Sequence, residues 1–504
     1  MAEDHRLLAE RKRKRQELLS LGVNPYPHDY KPSHTTAAVH EQYGTLELQQ
    51  EIGDVVTVAG RLTRLARMGR IYFGDIQDER GKVQISFEYR HLSPIEQEVV
   101  KRLDTGDMVG VKGNIFRTKR GELTVKAVHL DLLAKTLAPL PDKWAGLQDE
   151  ELRYRNRSLD LVMHPEIRER FRQRSVVIRT LRNVLDTHGF LEVETPLLQP
   201  VYGGATARPF ETHVHALGGQ RVFLSISPEL YLKRLMPAFF EGVYTVCKNF
   251  RNEGIDKTHN PEFTMMECYK AWFDYQDMMR LTEEIYAQVL RATRGSTRVE
   301  YQGTTLDFTP PWPRVAMLDA IREGCAIPAG DLNEQQLRAV LQKGELPSDF
   351  YVKGIPFDDI HRWSWGEMVQ TLFAYFIEPQ LTQPVFIIDH PKESTPLCKG
   401  HRSDARLIER FEPFAYGVEL ANAYTELNDP VVQRELLEAQ ARAGKERGEA
   451  YHLVDHAFCD AVDLGIPPMG GLGIGVDRMV MFATNAASIK DVIFFPLMRS
   501  QDYS

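Results

Sequence analysis

Paired cysteines, long apolar runs and a surplus of positive charge are all missing from this 504-residue chain. Its five cysteines, Cys247, Cys268, Cys325, Cys398 and Cys459, fall at no paired spacing. Neither a disulfide framework nor a cysteine zinc site is expected. No run reaches the roughly 18 apolar residues of a membrane helix. The N-terminus carries charges where a leader would have an apolar stretch. A soluble, cytoplasmic protein with no membrane partner is expected. The formal net charge of −8 leaves nucleic-acid binding to local patches rather than bulk charge. Glycines alternate over 470–475, but the βαβ unit and acid of a dinucleotide fold do not follow them, so that fold is not expected.

What the chain does have is concentrated in three stretches. The first is 243–269, two strand-like runs flanking a polar loop with Gly254, His259, Asn260 and Pro261, which predicts a long-looped antiparallel hairpin. Side chains alternate along a strand, so Cys247, Asn249 and Arg251 share one face. Phe263, Met265, Glu267 and Tyr269 share a face of the second strand. A cation for phosphate or carboxylate, a flat ring for a base, and a carboxylate with a phenol for an amine can therefore line one concave surface. Taken alone, an ordinary hairpin with a charged face fits equally well.

The second stretch, 410–426, predicts another hairpin turning near Tyr416 and Gly417. Glu412 and Glu419 lie almost symmetrically about that turn and are expected as cross-strand neighbours, a pair that suits magnesium and phosphate. Asn422, Tyr424 and Glu426 alternate on one face, and strict parity puts Glu419 on the other. A bulge near Leu420 and Ala421 would reconcile them. The third stretch is the glycine strand, which runs through Asp477 and Arg478 into an apolar helix. Helix dipole and guanidinium both favour a phosphate there.

Around these, five strands at 55–65, 71–77, 82–89, 108–117 and 123–133, with one helix at 93–103, predict an OB-fold barrel. Phe73, Phe87, Arg64 and Gln84 offer stacking and base-edge groups, or else Phe73 and Phe87 fill the core. A basic helix over 2–19 and a stripe of Arg153, Arg155 and Arg157 could each meet phosphate or form surface ion pairs. A long helix over 165–188 carries the apolar stripe Phe171, Ile178, Leu181 and Leu185, for this chain's core or a second copy. Ser227, Pro228 and Glu229 open a further helix. The expected class is α+β. The N-terminal extension is 1–50, the barrel 51–135, a linker 136–165 and the larger domain 166–504, with a small insertion at about 325–360.

These stretches, in this order behind a barrel, resemble the class II aminoacyl-tRNA synthetases. Glu194-Thr195-Pro196 matches the end of motif 1, Phe250–Glu253 through Glu262-Phe263 matches motif 2, and the glycine strand to Arg478 matches motif 3. SPELYLKRL at 227–235, RNEGIDKTHNPEFTMMECY at 251–269, ELANAYTELND at 419–429 and GVNPYP at 22–27 resemble the lysyl members of subclass IIb. The resemblance covers nearly the whole chain. It implies ATP-dependent formation of lysyl-adenylate from L-lysine, transfer to the 3′ end of tRNA(Lys), and a homodimer built on motif 1.

Carried over by position, the resemblance implies that Arg251 and Arg478 are catalytic. Glu253, His259, Asn260 and Phe263 would join them around ATP, and Glu412 and Glu419 would hold Mg2+. Gly204, Glu229, Arg251, Glu267, Tyr269, Asn422, Tyr424 and Glu426 would surround lysine. Phe73, Gln84 and Glu122 would meet the anticodon. Departures are Tyr424, where many bacterial members have Phe, Ser225, where Arg is common, and the run from Thr395 to Lys399. The alternatives are an aspartyl or asparaginyl enzyme, a paralogue that lysylates a protein, or a nucleic-acid-binding scaffold with an inactive domain.

Overall fold

Alternation of Val, Leu and Ile with polar residues closes the first five strands into a barrel. In the computed structural model these are Glu51–Met68, Ile71–Gln77, Lys82–Glu88, Met108–Arg117 and Leu123–Ala134. The structure describes residues 2–140, 149–327, 332–344, 351–352, 355–447 and 454–500. The chain forms two compact units, Met1–Gln148 and Asp149–Ser504. Each strand of the first unit points its apolar residues inward, so Val56, Val58, Leu62, Ile76, Ile85, Val111 and Val125 are fully buried. The helix Pro94–Arg102 starts at a reciprocal cap between Ser93 and Glu96.

Phe87 is one of the barrel's core residues, at 1% exposure and stacked on Tyr72, and is not a surface platform. The basic helix, Ala2–Ser20, spends part of its charge internally. Arg11 donates to the carbonyls of Thr105, Thr136 and Ala138, and Lys14 pairs with Asp104 at 2.6 Å. Those two cations are therefore structural.

The 136–165 stretch is not a linker throughout. Residues 141–148 lie outside the described residues, but Glu150–Arg155 and Arg157–Met163 are helices of the second unit. The arginines expected as a basic stripe are ion-paired. Arg153 and Arg157 both hold the buried Asp160, and Arg155 holds Glu151.

The second unit is organised on a nine-stranded sheet. Its spatial order runs Arg314–Ala316, Val385–Pro391, Leu407–Ala415, Ala421–Thr425, Met469–Gly475, Glu262–Ala271, Gly242–Phe250 and Leu191–Glu192, with Val418–Glu419 paired to Leu407–Ala415. The interior pairs are antiparallel, and only the two outermost pairs are parallel. Helices Pro165–Thr187, Tyr275–Arg294 and Val476–Thr484 share a core with the sheet through Val177, Leu181, Met278, Ile285, Met479 and Phe482. The result is α+β, as the pattern of strands and helices implied.

The insertion expected at about 325–360 contains the helix Glu334–Lys343, capped by Asn333. Residues 328–331, 345–350 and 353–354 of it lie outside the described residues. Among the described residues, no helix is long and apolar enough to cross a membrane.

Candidate active site

The first hairpin sets the geometry. Asn249 pairs with Phe263, Cys247 with Met265, Thr245 with Glu267 and Val243 with Tyr269. Cross-strand partners point to the same side, so Phe263, Glu267 and Tyr269 share a face with Asn249 and Cys247. Arg251 extends that row just past the strand, its amide donating to Pro261 at 2.9 Å. Its guanidinium carbon lies 5.1 Å from the centre of the Phe263 ring, a cation over an aromatic plate.

The glycine strand lies beside this hairpin and against the second one. Met265 to Ala271 pair with Gly475 to Met469, and Ala421 to Thr425 pair with Ile474 to Gly470. Gly471 is there because its neighbours leave no space. A Cβ at that position would come within 1.8 Å of Glu426 Oε1 and 2.6 Å of Tyr269 Cε1. The sequence predicts a phosphate role for the helix start and Arg478 that follow these glycines; at 471 the missing side chain makes room for a carboxylate and a phenol.

Glu412 and Glu419 are not direct partners. Glu419 pairs with Phe414, and Glu412 pairs with Ile387 on the neighbouring strand. The register then changes by one residue, since Phe411 pairs with Ala423 and Arg410 with Tyr424. That one-residue bulge puts Glu412, Glu419, Asn422 and Tyr424 on one face. Arg410 donates to Asn422 Oδ1 at 3.0 Å and forms an ion pair with Glu412.

Arg478 donates to the backbone carbonyl of Glu419 at 2.9 Å and to its carboxylate at 3.2 Å. Its other terminal nitrogen meets His259 Nε2 at 3.0 Å, while Nδ1 of that ring faces Asp256 at 2.8 Å. Those partners specify the tautomer with the proton on Nδ1. Asn260 donates to the Glu262 carbonyl at 2.6 Å and leaves a buried Oδ1 without a partner. Glu253 is exposed and accepts from the Arg208 amide at 3.4 Å. Arg478 thus joins His259 to Glu419, and Arg251, which lies over Phe263, also feels the Glu419 charge.

Sequence gave no warning of Glu378, which feels the charges of both Glu412 and Glu419. Burial, and then those two charges, push its carboxyl up to about 7. Two carboxylates close enough to raise a third acid form a concentration of negative charge that fits a dication. Among the described residues, no cluster of three acidic, His or Cys groups forms a cage of its own. Glu412 and Glu419 with phosphate oxygens would therefore complete the shell that Mg2+ needs.

At the other end lie three buried carboxylates, Glu229, Glu267 and Glu426. Ser227 donates to Glu267 at 2.9 Å and accepts from the Glu229 amide at 3.1 Å. Tyr424 donates to Glu229 at 2.7 Å, and Tyr269 reaches Glu267 at 3.4 Å. Burial, and then the Glu229 charge, push Glu267 up to about 8, with Ser227 pulling the other way. Burial and the Glu229 charge also hold both phenols well above the usual tyrosine range. Gly204 closes this end. Its φ is +81°, and a Cβ would come within 2.8 Å of both Glu229 and Ser227. The helix Glu229–Lys233 adds a residue that sequence reasoning passed over, because Lys233 is buried at 1% exposure with its ammonium 2.6 Å from Glu229.

In the first unit, Phe73 pairs with Ser86, Asp75 with Gln84, and Gln84 with Thr124. Two-residue spacing puts Glu122 on the face of Thr124, so Phe73, Gln84 and Glu122 lie on one side of the barrel wall. Phe73 is half-buried and Glu122 exposed, and Gln84 accepts from the Thr124 hydroxyl at 2.9 Å.

Comparison with known proteins agrees with both units. The family described as tRNA synthetases class II (D, K and N) matches residues 149–499, and the OB-fold nucleic acid binding domain matches 56–133. A lysine–tRNA ligase of Pelotomaculum thermopropionicum is 45% identical over 98% of this chain and 95% of its own. One of Carboxydothermus hydrogenoformans is 43% identical over 98% of both chains, and one of Clostridium perfringens is 43% identical over 97% of this chain and 96% of its own. The chain belongs to the class II tRNA synthetases and, within them, to the lysine–tRNA ligase family.

Proposed function

We propose that this enzyme activates L-lysine with ATP to lysyl-adenylate and transfers the lysyl group to the 3′ end of tRNA(Lys) in the cytoplasm. The observation that carries the choice of amino acid is the buried set of Glu229, Glu267 and Glu426 with Tyr269 and Tyr424. Carboxylates and phenol oxygens suit a substrate with two ammonium groups. An aspartate or asparagine pocket would call for cations or amides there.

The carboxylate of lysine is already an anion at neutral pH, so its attack on the α-phosphorus needs no general base. Arg251, beside Phe263, would orient that carboxylate and neutralise charge building on the α-phosphate as pyrophosphate leaves. Phe263 would stack the adenine, with Arg478 near the far phosphate and Glu253, His259 and Asn260 completing the ATP shell. Mg2+ held by Glu412 and Glu419 would supply Lewis-acid stabilisation of the phosphates. Gly204 and Glu229 would hold the α-amine, Tyr269 and Glu426 the ε-ammonium, and Glu267, Asn422 and Tyr424 the space between.

Phe73, Gln84 and Glu122 would read the anticodon by stacking and base-edge contacts. Two chains would associate through motif 1. The supporting features are the outermost strand of the sheet, Leu191–Glu192, and exposed Leu191, Leu197 and Leu198 beside it. Amino-acid-dependent ATP–pyrophosphate exchange tests the central claim. Lysine alone among the protein amino acids should support exchange, and exchange driven by aspartate or asparagine would overturn it.

A further inference from the structure

A charged side chain of the protein itself meets the groups assigned to the substrate's ammonium. Lys233 Nζ lies 2.6 Å from Glu229 and in ion-pair contact with Glu426. It sits 5.7 Å from the Tyr269 ring centre and 5.4 Å from that of Tyr424, within cation–π reach of both. The two contacts differ in kind. The one to Glu229 is a hydrogen bond within a single helix, four residues apart. The one to Glu426 crosses to the residue that follows the strand Ala421–Thr425. Glu426 thus draws its counter-ion from a different element of the fold.

We infer that Lys233 is a specificity-determining residue, an internal counter-cation that keeps Glu426 ionised while the pocket is empty and yields it to the ammonium of incoming lysine. The inference rests on the lysine pocket proposed above. A buried carboxylate without a cation takes up a proton instead of staying charged. A protonated Glu426 would reject an uncharged side chain of the same length much less strongly than an ionised one. Lys233 can let go of Glu426 without losing its own partner, because Glu229 stays beside it on the helix.

The other groups facing Glu426 do not substitute for Lys233. Burial lifts its carboxyl well above the usual range, the Lys233 ammonium is the strongest influence toward the charged form, and the Glu229 and Glu267 charges add to the rise. Tyr269, Tyr424 and Cys398 are neutral neighbours whose own ionisation burial suppresses, and Arg410 is committed to Asn422 and Glu412. Lys233 itself stays protonated. Burial acts against its charge, but Glu229 and Glu426 outweigh it and raise its pKa.

Two measurements test the inference. Crystal structures of the wild-type enzyme with and without L-lysine should show Nζ of Lys233 in contact with Glu426 when the pocket is empty. With lysine bound it should stand more than about 4 Å away, beyond ion-pair reach, and still on Glu229. An unchanged Lys233–Glu426 contact in the lysine complex would overturn the inference. Calorimetry of lysine binding in buffers of different ionisation enthalpy counts released protons. Lys233→Met should release about one proton more per site than wild type near pH 7, because Glu426 must then ionise on binding. An equal count would overturn the inference as well. Should wild type bind no lysine at all, the lysine pocket itself is wrong, which separates that failure from the failure of Lys233.

Discussion

Arg174 and Asp477 are 303 residues apart in sequence and joined by a 2.6 Å hydrogen bond in the fold. Asp477 also accepts from the amide of Thr264 at 2.6 Å, and Arg174 from its other nitrogen reaches Thr264 Oγ1 at 3.0 Å. One acid thus ties the long helix Pro165–Thr187, the strand carrying Phe263 and Glu267, and the helix that follows the glycine strand. Asp477 is 2% exposed. Asp477→Ala would take the counter-charge from the part-buried Arg174 guanidinium and the acceptor from the Thr264 amide, and should cost about 1–3 kcal/mol of stability. A thermal-unfolding midpoint equal to wild type would show that the three elements do not depend on it.

Arg251→Ala should leave folding intact and slow adenylate formation. Losing one strong electrostatic donor to a reacting group costs about 2–4 kcal/mol of transition-state stabilisation, or roughly 30- to 10³-fold in rate. Lysine-dependent pyrophosphate exchange measures it, and near-normal exchange would remove Arg251 from the chemistry.

Phe73→Ala should raise the Michaelis constant for tRNA and spare pyrophosphate exchange. Stacking one base on an aromatic ring is worth about 1–3 kcal/mol. Phe73 is only half-buried, unlike Phe87, so truncation should leave the barrel folded. An equal fall in both reactions would mark it as a structural residue.

Glu426→Gln should lose most lysine affinity and little ATP affinity, both read by calorimetry. An ionised pocket acid rejects an analogue lacking its partner charge by roughly 10⁴-fold, so wild type should discriminate strongly against norleucine and the variant much less. Unchanged lysine binding by the variant would refute the assignment.

Lysine binding should strengthen as pH rises toward 8. The empty site holds Glu267 protonated below about 8, whereas an adjacent ammonium favours the ionised form. Below that value each binding event must release a proton, so the binding constant climbs with pH by up to tenfold per unit and levels off above it. Glu267→Gln should flatten the profile. A wild-type affinity that is flat between pH 6 and 8 would contradict the protonated state.

Local rules carried much of this architecture. Period-two alternation placed Phe263, Glu267 and Tyr269 on one face, and the registers Asn249 with Phe263 and Thr245 with Glu267 agree. The parity conflict at Glu419 pointed to a bulge, and the register changes there by one residue. What escaped were groups whose meaning depends on a partner distant in sequence. Lys233 reads as an ordinary helical cation four residues from a glutamate, since Glu426 is far along the chain. Glu378 and Asp477 are single acids with no local pattern. Phe87 and Phe73 cannot be told apart by type, because only closure of the barrel decides which side of the wall each occupies.

The glycine strand works as a mould, and this bears on altering what the enzyme accepts. Space at its positions is unequal. A methyl at Gly471 would overlap Glu426 at 1.8 Å, whereas one at Gly473 would rest against Glu267 at 3.4 Å in ordinary contact. A redesign of this pocket has latitude at 473 and none at 471, where even the smallest added group would displace Glu426.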